Sequence, residues 1–419
     1  MTTVDIDLGD AHADITSHDT YVDGVPYATF ERLRRDDPVS WWEDGDGEGF
    51  WAVTRYDDVL AVSRQTELFS SAQGIRLEQM TPEETGARRT MMEMDPPQHT
   101  RYRRMVSKPF SRREVFAYET AVRALAREVV DEVHGRPSID FVHDVARELP
   151  MRMLGRLLGL PREDGEYLVR RGDALIGNTD PEFTDYVVDQ VDTDAFRLLP
   201  FRSPVSLELF EYAARAMDLR RATPTDDVLS ALLKPTADGE LLTDHELKNF
   251  FTLMVAAGND TTRYTMAAGM KALCERPALL DQLGREPGRI ELCNEEILRW
   301  SSVTMHFRRT VTRTTELRGR TINAGDRVVI WFVSANYDGD QFPDPYHFDA
   351  ERTPNDHATF GRHSPHLCIG AQLARLELKV LFEELLPRMR SAAVAGPVER
   401  LRSNFISGIK HLPLEVEWR

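Results

Sequence analysis

The stretch from Thr243 to Cys274 constrains this 419-residue chain more than any other. It opens with "TDHE", a capping box in which Thr243 caps and Glu246 reaches back. Pro277 closes the pattern. About 32 residues at 1.5 Å each make a helix of roughly 48 Å. A helix that long must cross a whole domain, so the rest of the fold has to be built around it.

The remaining chain reads mainly α with a minor β part. "YATFERLRRDD" and "VFAYETAVRALAREVVDEVHG" carry apolar residues at helical spacing. "GFWAVTRYDDVLAVSR" starts as a strand and continues as a helix. "ELRGRTINAGDRVVIWFVSAN" reads as short strands joined by turn residues. "DGDQFPDPYHFDAERTPND" is irregular yet apolar enough to pack as an ordered meander, and "GAQLARLELKVLFEELLPRM" is an amphipathic helix. No linker, charge block or repeat divides the chain. We expect a flexible N-terminus over residues 1–18 and one domain over 19–419.

Composition narrows the partners. A net charge of −17 argues against nucleic acid. The acidic, polar N-terminal stretch lacks the charged and apolar regions of a signal peptide. No apolar run approaches the roughly 18 residues of a membrane span, so no membrane anchor is expected. Three cysteines, Cys274, Cys293 and Cys368, form no CxxC pair and are too few for a disulfide framework. A reducing, cytoplasmic location is the expectation.

Cys368 is the unusual one. It lies in "FGRHSPHLCIG", residues 360–370, directly before a helix. A helix N-terminus favours a thiolate. His366, Arg362 and Arg375 add positive potential, and Gly370 lets the backbone pass close to something flat and large. A buried structural thiol and a nucleophilic Cys-His pair are the plainer readings. Neither explains Phe360, the glycines and the helix together. A single thiolate without clustered Cys or His partners suits neither zinc nor an iron–sulfur cluster. It suits a haem, whose porphyrin supplies the other ligands.

On these residues the sequence resembles the cytochrome P-450 family of haem-thiolate monooxygenases, soluble bacterial type, over nearly its whole length. The family loop, Phe-x-x-Gly-x-(His/Arg)-x-Cys-x-Gly, is met at His366, Cys368 and Gly370. Phe360 stands one position early, and Ser364 replaces the expected glycine. This longer loop resembles the subset acting on sterol side chains and terpenoid lipids. Glu296 and Arg299 in "NEEILRW", with Arg352 in "FDAER", resemble the family's structural lock. In "AAGNDTTR" the resemblance implies that Ala257 and Gly258 leave room for dioxygen, while Asp260 and Thr261 deliver protons.

It further implies haem b (iron protoporphyrin IX) with Cys368 as the metal ligand, between the long central helix and the cysteine-loop helix. His99, Arg103, Arg309 and His366 would hold the propionates. Buried carboxylates need such charged donors. Val255, Val303 and Phe405 are the residues expected near substrate. That substrate would be a bulky, largely apolar small molecule: a terpenoid, a steroid-like compound or another natural-product intermediate. The alternative is a haem-thiolate oxidase catalysing cyclisation, coupling or epoxidation; a non-enzymatic haem sensor would have no need of "GNDTT". Electrons would come from a separate ferredoxin or flavodoxin and its NAD(P)H-dependent reductase, docking through Arg101, Arg104, Arg362 and His363.

Overall fold

The structure, a computed structural model, describes residues 6–44, 48–236 and 238–419. The helices that position the site are α1 (Gln98–Val106), α2 (Arg112–Val133), α3 (Glu148–Leu158), α4 (Gly165–Ile176), α5 (Val205–Ala222), α6 (Asp244–Cys274), α7 (Ile290–Ser301) and α8 (Ala371–Leu385). The long pattern becomes α6. Thr243 caps it, and the Glu246 side chain accepts from the Thr243 backbone N–H at 2.8 Å. It ends at Cys274, and Pro277 opens the next helix instead of extending this one. Helices α3, α4, α5 and α7 all pack on α6. Phe251, Met266, Ala267 and Met270 have almost no exposed surface. Burying each larger side chain of this kind contributes about 1.5–3 kcal/mol.

The β part is small. Its main sheet runs β1 (Val39–Asp44), β2 (Glu48–Val53), β5 (Arg327–Trp331), β4 (His306–Val311), β3 (Phe69–Ser70) from edge to edge. The β2–β5 pair is parallel and the others are antiparallel. β5, "RVVIW", is buried at every position, as a near-continuous apolar run in mid-sheet must be. Register places Arg309 of β4 opposite Val328 of β5.

The Pro/Asp-rich meander is ordered, as its apolar residues suggested: Tyr337, Phe342 and Phe348 are buried. Of the stretch expected to be flexible, residues 1–5 lie outside the described residues. Residues 6–18 are packed rather than loose. Ile15 is fully buried, Ala13 N–H donates to Thr29 Oγ1 at 3.0 Å, and His18 Nδ1 accepts from Asn404 N–H at 3.0 Å. A single apolar anchor and bonds to distant segments hold them, which the local polarity did not reveal. Among the described residues, no helix is long and apolar enough to cross a membrane.

Candidate active site

Helix α6 is mostly buried from Asn249 to Cys274, with a clear break at its middle. Ala257, near its middle, is exposed, and Leu253 and Thr261 are half-exposed. These residues are spaced by four, so they share one face, and that face opens on an internal cavity of about 150 Å³. Thr261 Oγ1 donates to the Ala257 carbonyl at 3.0 Å. Such a back-bond from threonine loosens the helix locally and leaves the hydroxyl's acceptor sites free.

Gly258 points elsewhere. A Cβ built on it would meet Leu154 of α3 at 3.0 Å. Its missing side chain lets α3 approach α6; Ala257 is the small residue on the cavity side. Asp260 faces away from Thr261 and is fully buried. Its Oδ1 accepts from Arg263 at 2.6 Å and from Asn259 at 3.2 Å, while Oδ2 has no partner. Arg263 also donates to Asp173 of α4 at 2.7 Å. Two carboxylates thus share one guanidinium. Burial first, then Asp173, raises the Asp260 carboxyl above the usual carboxylate range, with Arg263 opposing.

The cysteine loop turns back on itself, with the Cys368 N–H donating to the Phe360 carbonyl at 2.9 Å. The Phe360 ring lies under the Arg375 guanidinium, 4.7 Å from its centre. Positive φ falls on Gly361 (71°) and His363 (62°), not on Ser364. The extra residue moves the left-handed position off the place where serine stands. Ser364 Oγ instead accepts from the His366 N–H at 3.1 Å and pins the turn. Gly370 is the N-cap of α8.

Cys368 has accessible surface, yet it is surrounded by enough of the fold that burial raises its thiol pKa. The Gly370 amide, Arg103, Arg375 and the Ala371 amide oppose that rise. The helix terminus alone therefore does not make a thiolate here, and a bound cation would complete the deprotonation. Cys274 and Cys293 are buried, and burial pushes both up to about 12. Neither has the loop's donors around it.

Four basic residues converge beside the loop. The His99 and His366 rings are in contact, tilted at 43° with centres 4.2 Å apart. Arg103 donates to the Leu367 carbonyl at 2.5 Å. Arg309, buried on β4, donates only to the Arg308 carbonyl at 2.8 Å, and its Nε is unpartnered, as is His99 Nδ1. Asp95 is the carboxylate acting on Arg309. It is already held by the Ser70 hydroxyl at 2.5 Å and the Ser71 N–H at 2.9 Å. Burial pushes Arg309 down to about 10. Burial and the neighbouring cations push His366 down to about 2, and burial with Arg103 pushes His99 down to about 4. Such a surplus of donors fits the two carboxylates of a haem, for which Cys368 would supply the thiolate.

The cavity on the Ala257 face is mostly apolar, lined by Ile75, Leu253, Ala257, Thr261, Phe307 and Phe405 among others, with Arg76 at its wall. Phe405 was expected there. Val255 is not among the lining residues; it is buried and packs near Gly172 of α4, off the open face. Val303 is also buried, in the main core cluster, and its neighbour Thr304 lines the cavity instead. Sequence reasoning missed Leu253, though its spacing of four from Ala257 was available. It also missed Arg76 and Phe201, which no local pattern marks. A wider groove of about 840 Å³ beneath the N-terminal segment shares no lining residue with this cavity.

The expected lock forms as read. Glu296 meets Arg299 at 2.7 Å and Arg352 at 3.2 Å, all buried. Of the expected docking residues, Arg101 already pairs with Glu240 at 2.6 Å and Arg362 with Asp356 at 3.0 Å. Arg104 is exposed with no ion pair among the described residues. His363 is exposed and accepts from Arg362 Nε at 3.0 Å.

The chain is similar to known proteins. A family profile described as Cytochrome P450 matches residues 181–399. A methyl-branched lipid omega-hydroxylase of Mycobacterium tuberculosis is 36% identical over 402 residues, covering 94% of this chain and 91% of that protein. A steroid C26-monooxygenase of Mycolicibacterium smegmatis is 34% identical over 398 residues, covering 92% and 90%. A cytochrome P450 of Mycobacterium marinum, solved with pseudoionone, superposes with a TM-score of 0.83 at 37% identity, covering 92% of this chain and 94% of that one. This chain belongs to the cytochrome P450 family, monooxygenases that bind haem through a cysteine thiolate.

Proposed function

We propose that this monooxygenase hydroxylates a bulky lipid-like substrate, a terpenoid or steroid-like molecule, in the cavity over Ala257 and Thr261. The observation that carries this reading is the open face at the middle of the long helix, where Leu253, Ala257 and Thr261 meet an apolar cavity. The relatives named for methyl-branched lipids and steroids support the same class. Haem, when bound, supplies the oxidation chemistry, aided by electron donation from the thiolate.

The chain's residues do the rest. Cys368 would supply the thiolate that holds the haem. Arg103, Arg309, His99 and His366 would hold its propionates. Leu253, Phe307 and Phe405 keep the cavity apolar and orient the substrate. Thr261 Oγ1 accepts and passes on a proton there, its own hydrogen otherwise resting on the Ala257 carbonyl. Asp260, turned away, does not touch the reacting atoms. It holds a proton beside Asp173, which is partly open to water, while the permanently charged Arg263 pins the two carboxyls together. Electrons arrive from a separate ferredoxin or flavodoxin with its NAD(P)H-dependent reductase. The exposed Arg104, which has no ion pair among the described residues, is a positive group near the loop that such a carrier would meet first.

Two experiments test this assignment. Cys368→Ser should abolish the strongly red-shifted band of the reduced carbon monoxide complex, while Cys274→Ser and Cys293→Ser keep it; the opposite pattern moves the ligand elsewhere. Thr261→Ala should keep NAD(P)H consumption and divert much of it to hydrogen peroxide. Unchanged coupling of consumption to product would remove Thr261 from the proton path.

A further inference from the structure

Arg76 is the one charged group at the cavity wall that has been given nothing to do. Among the described residues it makes no hydrogen bond and no ion pair. Its guanidinium carbon instead lies 4.1 Å from the centre of the Phe201 ring and 4.9 Å from that of Phe405. The neighbouring charges are committed elsewhere. Glu78 pairs with Arg88 at 2.9 Å and with Arg202 at 3.8 Å. The Glu93 carboxylate accepts from Thr90 N–H at 3.0 Å and from its hydroxyl at 2.7 Å. Arg88 takes both Glu78 and Glu84. Burial pushes Arg76 down to about 10, with Glu78 and Glu93 opposing from a distance, so it stays charged at neutral pH.

The backbone around Phe201 is held in a costly shape to make this contact. Phe201 and Arg202 both have positive φ, 61° and 48°. Two successive non-glycine residues in that region are disfavoured and persist only where the surroundings hold them. Here the Asn178 side-chain amide donates to the Phe201 carbonyl at 2.8 Å. Aromatic rings attract a cation but accept none of the five N–H hydrogens in the guanidinium plane. Those donors call for a planar acceptor, and a carboxylate matches their fork in a bidentate pair.

We propose that Arg76 binds the carboxylate of the substrate, so that the preferred ligand is an amphipathic acid. Its carboxylate meets Arg76 between Phe201 and Phe405, and its apolar body runs along Leu253 toward Ala257 and Thr261. This rests on reading the cavity as the substrate site, and it narrows "lipid-like" to an acid rather than a neutral ketone or alcohol.

The test uses the haem-loaded enzyme and two probes that differ only in charge, dodecanoic acid and methyl dodecanoate, at pH 7.5. Binding is read twice, by the change in haem absorption and by the rise in Tm. The acid should bind at least 10-fold tighter than the ester to the unaltered protein. Arg76→Gln should weaken the acid roughly 10- to 100-fold, the range for a lost charge-assisted pair, and leave the ester unchanged. Arg76→Lys should recover part of the difference. Ester binding by Arg76→Gln shows that the variant is folded. Equal binding of acid and ester by the unaltered protein overturns the proposal, as does an acid preference that survives Arg76→Gln. If pseudoionone and both probes leave absorption and Tm unmoved, the cavity is not the substrate site, and the broader reading falls with the narrower one.

Discussion

Arg299 and Arg309 are both buried arginines close in sequence, and they are finished in opposite ways. Arg299 donates to both oxygens of Glu296, at 2.8 and 2.7 Å, and to the carbonyls of Asn336 and Pro345 at 2.8 and 2.9 Å. Arg352 adds a second cation to Glu296, and the Asp349 N–H donates to it at 3.0 Å. Arg309 makes one bond, to a neighbouring carbonyl, and leaves its Nε bare. A buried charge whose donors are nearly all matched holds the chain together. One whose donors are left over is waiting for a partner the chain does not contain. By this criterion the Glu296 cluster is scaffold, while Arg309, Arg103 and the two histidines are the seat of a ligand.

The largest expected effect breaks the matched side. Arg299→Leu takes two of the five hydrogen bonds from the buried Glu296 carboxylate and leaves it Arg352, the Asp349 N–H and Asn355. Removing one member of a buried ion pair costs about 3–5 kcal/mol. The denaturation midpoint should fall accordingly with or without haem, and a loss of less than about 1 kcal/mol, the scale of an exposed ion pair, would mean the lock is ornamental.

The unmatched side should behave in the reverse sense. Arg309→Leu removes a buried cation that has almost no partner, so the haem-free protein should be no less stable than the parent. Haem affinity should nevertheless drop about 10- to 100-fold, the equivalent of one or two charge-assisted bonds. Transfer of haem to an acceptor protein measures the second quantity, and urea unfolding of the haem-free form measures the first. If Arg309→Leu destabilises the haem-free protein as much as Arg299→Leu does, the contrast between the clusters is false.

How far the sequence carried these distinctions depends on distance along the chain. The span of α6 was legible because its cap, Thr243 with Glu246, and its stop, Pro277, are local. So was the lock, since Glu296 and Arg299 are a turn apart on α7. The cysteine loop was legible in composition but not in conformation, because the added residue shifted the positive φ to His363. Gly258, Val255 and Val303 were misplaced for one reason: which face of an element meets a cavity is decided by its neighbours, here Leu154, Gly172 and the main core. Arg76 was invisible, because Phe201 and Phe405 come to it from segments far apart in sequence. The packing of Ile15 was hidden in the same way.

Asp260 stands between the two cases and should give the smallest effect. It has a partner, Arg263, but shares it with Asp173, so one guanidinium serves two carboxylates. Burial raises the Asp260 carboxyl above its value in the unfolded chain. The folded state then binds a proton that the unfolded state has already released. Its contribution is full below the unfolded carboxylate range and is lost as pH climbs through the raised folded value. Asp260→Asn, which mimics the protonated form, should flatten that part of the stability profile. The difference from the parent should be on the order of 1–2 kcal/mol at the alkaline end and near zero at the acid end, since a tenfold change in proton affinity corresponds to about 1.4 kcal/mol. Unfolding free energies at a series of pH values give both curves. Parallel profiles would mean that Asp260 is ionised throughout, making it a matched scaffold charge like Glu296 instead of a group poised to carry a proton. The same variant should slow NAD(P)H consumption overall without diverting it to peroxide, which separates its role from that of Thr261.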